Sequence, residues 1–391
     1  MKRTAGWVAA AILAGVPAMR ADTDYFVVGA KGNASPQFLH IFSYDTATTT
    51  VTYRACITNS YYCNMDMGLS ALPNYGFAWG HRGAPNIQRY ATRDRVTWTN
   101  EGATVDINQF GPGAFWDSGV RTNRDTSKTE NYTVGVAMLK DGKLFVSGDR
   151  LQSNTVYYGV GSLAGKTGAL TTNVFPRDLN HLGIMANSSG AAEQGLWDVT
   201  STIEGTANRF VTAYRNAGAP VLVYNSDGTY RGALTAVGSN SRGLGVFKSA
   251  ARGDTILQVD IDSGINATVR VRGIRVDEAA FNTAVFTITN PPAATRGFLC
   301  TGGGYRPPDV DGLESGRIVV LGFARDTSSG EVRKMGIQIF ETNKSGTTWT
   351  NVFAKPLWLD EAAGAPSGTG GETVAGLYAI RPPTGTIVCF R

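Results

Sequence analysis

The chain has 391 residues, 42% hydrophobic and only 17% charged, with 48 glycines, 15 prolines and 3 histidines. That balance excludes intrinsic disorder, which needs fewer apolar and more charged residues, and a coiled coil, which needs Ala, Glu, Lys, Leu and Arg. Length alone suggests two domains, yet all-β barrels and sandwiches of this size fold as single units around one large core.

In chain order, residues 1–21 read first as a secretory signal. Lys2 and Arg3 form a positive start, Trp7 to Val16 form a short apolar stretch, and Ala18 and Ala21 are small residues suited to cleavage. Cleavage after Ala18 is preferred, because cleavage after Ala21 places the larger Met19 at a small-residue position. A buried N-terminal helix is the alternative. The apolar stretch is shorter than the roughly 20 residues of a membrane span, and no later segment supplies one. The expected mature domain is therefore 22–391, secreted, periplasmic or at the cell surface. The formal charge of +5 includes Lys2, Arg3 and Arg20, so export takes the 36 basic residues to 33 against 31 acidic ones. Such near-neutrality gives no footing for nucleic-acid binding, and no Lys/Arg run points to anionic lipid.

Cys56 and Cys63 bracket a short loop and are the easiest pair to join as a disulfide; Cys300 and Cys389 then pair or stay as buried thiols. No CxxC pair suggests zinc, and no CxxCH suggests attached haem. Beyond the signal, short alternating runs follow one another between Gly, Asn, Asp and Pro. They include Lys143 to Ser147, Thr155 to Val160, Pro220 to Tyr224, Thr255 to Ile261, Thr268 to Gly273, Arg317 to Phe323 and Met335 to Phe340. Period-two alternation rich in β-branched and aromatic residues is the strand signal. The chain is read as all-β.

One phrase recurs: a turn followed by a glycine-bearing apolar strand. It begins at Asn74, Asn131, Asn180, Ser241, Thr295 and Thr373, at intervals of roughly 50 to 80 residues, a spacing that fits a β-propeller with about four strands per blade. Small residues in a strand permit close backbone approach, as the innermost strand of a blade requires. The expected fold is a single six-bladed propeller, with seven blades as the variant. A β-sandwich pair or a parallel β-helix is the structural alternative. Blades are drafted at 74–127, 131–176, 180–237, 241–290 and 295–357. The sixth combines Gly376 to Ile380 and Thr386 to Phe390 with the N-terminal strands around Tyr25 to Ile57, so that the two chain ends close the ring.

Two hairpins carry a resemblance. Thr342 to Trp349 reads TNKSGTTW and Ala91 to Trp98 reads ATRDRVTW, and both continue Thr-Asn. Both resemble the Asp-box repeat of sialidase-type propellers, Ser-x-Asp-x-Gly-x-Thr-Trp, in degenerate form. Lys344 stands at the Asp position of one; Arg93 and Arg95 stand at the Asp and Gly positions of the other. The resemblance implies a turn between the third and fourth strands of a blade, held by local hydrogen bonds, with the Trp packed between blades. It implies no catalysis, and the family's arginine triad, Tyr/Glu pair and acidic proton donor match no motif here. A third hairpin, Val221 to Tyr230, turns on Asp227-Gly228.

In a propeller, loops entering innermost strands and loops joining second to third strands open on one face. The first set brings Tyr75, Tyr132, His181, Arg242 and Arg296; the second brings Asp149, Arg150, Arg215, Asp260, Asp262, Arg325 and Asp326. The expected ligand-binding residues are Tyr75, Tyr132, Asp149, Arg150, His181, Arg215, Arg242, Asp262, Arg296 and Arg325. Arginine offers a planar fork to carboxylate, sulfate or phosphate, and tyrosine stacks on sugars. Solvated turn pairs are the plain alternative. Asp260, Asp262 and Asn266, or Asp309, Asp311 and Glu314, could furnish oxygen ligands for Ca²⁺, though neither has EF-hand spacing; otherwise no cofactor or metal is expected. His40, His81 and His181 are too scattered to suggest a zinc triad. The functional expectation is a secreted binding or structural interaction module whose glycan, other anionic or protein partner sits on the polar face. A glycan-active hydrolase or lyase, or a subunit of an extracellular assembly, are the alternatives. No acid/base set can be named, so the reading leans away from an enzyme.

Overall fold

The computed structural model describes residues 23–31, 37–59, 67–69, 75–80, 86–92, 94–100, 105–106, 133–138, 143–148, 158–164, 169–174, 196–202, 209–214, 221–227, 229–236, 243–247, 253–261, 268–290, 296–299, 309–326, 333–343, 348–370 and 373–380. These residues form antiparallel sheets, a short 3-10 turn at Leu359–Glu361 and no α-helix. None of them makes a helix long and apolar enough to cross a membrane.

The first sheet runs β27-β1-β2-β3, joining β1 (Thr23–Lys31), β2 (Gln37–Asp45) and β3 (Thr50–Asn59) to the last described strand, β27 (Thr373–Ile380). The second follows chain order through β4 (Met67–Leu69), β5 (Tyr75–Gly80), β6 (Asn86–Thr92) and β7 (Trp98–Asn100), with β8 (Val105–Asp106) also on β6. The third is β9 (Thr133–Met138), β10 (Lys143–Gly148), β11 (Tyr158–Ala164) and β12 (Ala169–Val174). The fourth is β13 (Leu196–Ser201), β14 (Arg209–Tyr214), β15 (Val221–Asn225) and β16 (Tyr230–Leu234). The fifth is β17 (Gly243–Phe247), β18 (Thr255–Ile261), β19 (Val269–Arg275) and β20 (Ala284–Asn290). In the sixth, β21 (Arg296–Leu299) and β22 (Asp309–Gly312) both pair with β23 (Ile318–Asp326), followed by β24 (Arg333–Thr342), β25 (Trp349–Asn351) and β26 (Leu357–Trp358).

The chain is thus all-β, as its alternation predicts. The drafted unit 241–290 coincides with the fifth sheet, and 131–176 and 295–357 closely match the third and sixth. Two phrases fall differently. Tyr75 to Gly80 is the second strand of its sheet, because β4 precedes it, and the phrase at Asn180 lies outside the described residues while β13 leads the fourth sheet. Residues 386–390 also lie outside them; among the described residues, β27 joins the N-terminal strands.

Leading strands of successive sheets touch: β27 with β4, β4 with β9, β9 with β13, β13 with β17, β17 with β22 and β22 with β27. Where side chains are described, the approach is backbone to backbone. A Cβ on Gly245 would lie 2.0 Å from the Val310 carbonyl oxygen, and one on Gly312 would lie 2.6 Å from that of Val246. Two buried carboxylates stitch the same three strands. Asp309 accepts from the Leu377 amide at 2.6 Å, while Asp311 accepts from Ala379 at 2.8 Å and Val246 at 3.1 Å. β17, β22 and β27 therefore run side by side in parallel.

Between sheets the core is apolar. Phe26, Val28, Phe42 and Tyr44 of the first sheet pack with Val319, Leu321, Met335 and Ile337 of the sixth. Leu257, Val259, Val269 and Val271 of the fifth pack with Val310, Ile318 and Val320 of the sixth. On the other faces, Val27, Leu39 and Ile41 meet Tyr90 and Trp98, and Val211 and Val223 meet Leu244, Ile256 and Ile274. Each fully buried side chain of this kind contributes about 1.5–3 kcal/mol. Strands β1 and β2 are covered on both faces, which explains their near-continuous apolar reading.

A turn device recurs between third and fourth strands. Asp45 accepts from the amides of Ala47 and Thr48, Asp94 from Val96 and Thr97, Asp227 from Thr229, Asp277 from Ala280 and Asn343 from Thr348. Arg95, at the motif's glycine position, has a φ of 64°. Trp349 lies 4.9 Å from Phe286 and 5.8 Å from Phe247 of the fifth sheet, ring centre to ring centre.

Candidate functional site

The strands β18 and β19 alternate, and their register decides what meets across them. Leu257, Val259, Val269 and Val271 turn toward the sixth sheet, while Ile256 and Ile274 turn toward the fourth. Gln258, Asp260, Arg270 and Arg272 share that second face, with Asp260 directly opposite Arg270 and Gln258 opposite Arg272. Asp260 is buried, and its Oδ2 accepts from Arg272 Nη1 at 2.7 Å, while Arg270 Nη1 lies 3.8 Å from Oδ1. Arg272 Nη1 also donates to Gln258 Oε1 at 3.1 Å. The Arg272 side chain is 18% exposed and that of Arg270 32%.

The arrangement has a definite chemical consequence. Asp260 and Gln258 hold the Arg272 guanidinium through one nitrogen, and among the described residues no group accepts from its Nε or Nη2. Those two N–H groups form the edge of the fork that engages a carboxylate, sulfate or phosphate with two parallel hydrogen bonds. A buried carboxylate left with a charged partner fixes that fork before a ligand arrives. The cluster extends from the middle of β18 and β19, at Gln258 and Arg272, to the C-terminal end of β18 at Asp260.

Of the expected site residues, Arg296 and Arg325 are brought to one sheet end: Arg296 pairs with Asp326 and Arg325 with Gly297. Tyr75 goes elsewhere. It starts the second strand of its sheet, in register with Thr92 beside the Asp94 turn, at the opposite end from a loop entering a leading strand. Tyr132, Asp149, Arg150, His181, Arg215, Arg242 and Asp262 lie outside the described residues, as do Asn266 and His81. The second acidic cluster has protein partners: Asp309 and Asp311 accept backbone amides, and Glu314 pairs with Arg95 at 2.9 Å. No group of three metal-ligating side chains is present among the described residues. Sequence reading passed over Arg270, Arg272 and Gln258 because Val-Arg-Val-Arg looks like any half-exposed strand. Only the cross-strand register shows that both arginines face Asp260.

Neither a protein-family model nor a curated protein sequence matches the chain. Among solved structures it is similar to a candidate 6-phosphogluconolactonase of Bacteroides fragilis, with 11% identity, 94% of this chain and 100% of that chain covered, and a TM-score of 0.47. A GH43B protein of a Bacteroides ovatus xyloglucan locus follows at 12% identity, 85% and 59% coverage and a TM-score of 0.40. A GH43 endo-arabinanase of Bacillus licheniformis has 11% identity, 73% and 96% coverage and a TM-score of 0.37. At such identities and scores, function has to be argued from the residues themselves.

Proposed function

We propose that this chain is an exported six-bladed β-propeller that acts as a binding module for an anionic ligand, an acidic glycan above all. Six antiparallel sheets of four to six strands each, the β27–β1 pairing and a succession of leading-strand contacts that returns to its start all support the ring. Pairing the two ends in one sheet leaves no open seam. In that ring the end of β18, the start of β21 and the end of β23 open on one face, where Arg296 and Arg325 stand; Arg270 is the second residue of β19 at that end, and Arg272 lies two residues further in. The observation that carries the reading is the Arg272 fork, gripped through Nη1 by Asp260 and Gln258.

The test is binding of the exported chain to an array of neutral, uronate-bearing and sulfated glycans. The wild type is expected to select the acidic members. Arg272→Lys keeps the charge and loses the fork, and should weaken binding about tenfold, the worth of one charge-assisted bond. Equal affinity in the variant, or no preference for acidic glycans, overturns the reading. Turnover of aryl glycosides abolished by Asp260→Asn would favour the glycan-active hydrolase instead.

A further inference from the structure

His40 on β2 and Cys56 on β3 are directly opposite in the strand register of the first sheet. We propose that this pair makes Cys56 a reactive thiol that exchanges with low-molecular-weight disulfides, a modification site separate from the arginine cluster and independent of its role.

The geometry is that of a supported pair. Directly opposed residues in an antiparallel sheet have Cβ atoms about 4.5–5.5 Å apart, within reach of a sulfur–imidazole hydrogen bond. Cys56 is exposed and carries a free thiol, so a reagent can reach it. His40 is buried, stacked on Phe38 at 5.7 Å between ring centres and 6.0 Å from the Tyr53 ring, which fixes the imidazole against the strand pair. Thr58 Oγ1, two residues along β3, lies 4.0 Å from Sγ. Burial pushes the Cys56 thiol up, but the hydrogen bond and charge of His40, with Thr58 and Tyr53, outweigh it and bring the thiol below its ordinary value. The titratable groups acting on the sulfur are thus His40 across the pair and Tyr53 along β3. The sixth sheet packs Met335 and Ile337 against the cluster that holds Phe38 and Tyr53.

Reactive thiols are thiolates in partly exposed, electropositive surroundings. His40 takes the thiol proton, and the Cys56 thiolate attacks one sulfur of RS–SR. The new Cys56–S–S–R bond forms as the old S–S bond breaks, and RS⁻ leaves with the electron pair and takes up the proton. The disulfide is the oxidant and no other redox partner is needed.

The experiment follows alkylation of the intact chain by iodoacetamide against pH, with mass spectrometry to assign the rate to Cys56, and then incubation with oxidised glutathione. The rate midpoint is expected below the value of about 8.5 of a free cysteine, and to move up toward it in His40→Asn. One glutathione should add at Cys56 in the wild type and in Cys63→Ser alike. A wild-type midpoint at or above about 8.5 overturns the proposal whether or not His40→Asn folds. So does recovery of Cys56 in a native disulfide with another cysteine of the chain. Glycan binding by Arg272 is a separate readout, so either result can fail alone.

Discussion

Gly245 shows how little room single residues leave at the leading strands. Its absent side chain is where the Val310 carbonyl sits, and backbone, unlike a flexible side chain, cannot move aside cheaply. Gly245→Ala should therefore cost about 3 kcal/mol, the upper range for overpacking, read as a lower urea midpoint at unchanged slope. Asp24 carries a pH signature. It is fully buried, accepts from the Ser315 amide at 2.8 Å and hydroxyl at 2.5 Å, and burial is the chief cause that raises its carboxyl above the ordinary 3.8, against the lowering by Ser315 and Arg317. A raised carboxyl binds its proton more tightly folded than unfolded, so its contribution is full below pH 3.8 and is lost as pH rises through the folded value. Asp24→Asn has no such loss. Its stability relative to wild type should climb with pH above 3.8 and then level off, in urea titrations across the acid range; a flat difference would refute this account. The glycine at 245 was legible in the sequence as part of a repeated phrase. Asp24 was not, because its partner lies 291 residues away.

At the scale of the element, the third-to-fourth hairpins do more than turn the chain. The fifth sheet's hairpin reaches back to the fourth: Asn282 Oδ1 accepts from the amides of Thr235 and Ala236, and its Nδ2 donates to Thr235 Oγ1 at 2.6 Å. Glu278 pairs with Arg209 and Arg231, and Arg231 lies over the Phe281 ring at 4.5 Å. The second sheet's hairpin acts likewise, its Arg95 lying over Tyr25 of the first sheet at 5.2 Å and pairing with Glu314 of the sixth. Asn282 has a φ of 63°, so two variants separate its roles. Asn282→Gly keeps the left-handed backbone and removes the bonds; Asn282→Ala removes both. Each should lose about 1–2 kcal/mol by thermal unfolding, with Ala the worse by about 0.5–1 kcal/mol. The sequence showed these hairpins at Asp227-Gly228 and in the two Trp-bearing turns. It hid the shared Asp or Asn, because that residue shifts by a position or two from turn to turn and a fixed motif misses it.

At the scale of the whole molecule, β27 holds more than its own sheet. Its amides at Leu377 and Ala379 satisfy the buried carboxylates of Asp309 and Asp311, and its pairing with β1 joins the last described strand to the first described one. The Asp309→Ala, Asp311→Ala double variant leaves three buried amides, of Leu377, Ala379 and Val246, without these acceptors. At about 1–3 kcal/mol for each orphaned group, the expected result is loss of cooperative folding, seen as aggregation or a broad thermal transition. A chain ending before Thr373 should fail in the same way. Wild-type-like unfolding of either would argue against the ring proposed above.

The amino-acid sequence by itself determined the strand class, several of the sheet boundaries, the hairpin turns and the pairing of residues 376–380 with the N-terminal strands, because alternation and turn chemistry are local and a glycine-bearing strand recurs along the chain. Only the tertiary structure decided which polar side chains meet. The register of β18 on β19 makes a cluster of Asp260, Arg270 and Arg272; that of β2 on β3 makes a pair of His40 and Cys56; parallel approach of β17, β22 and β27 turns Asp309 and Asp311 into ties between strands. A one-residue slip moves every side chain to the opposite face, and no local pattern fixes which strand of a distant sheet will lie alongside.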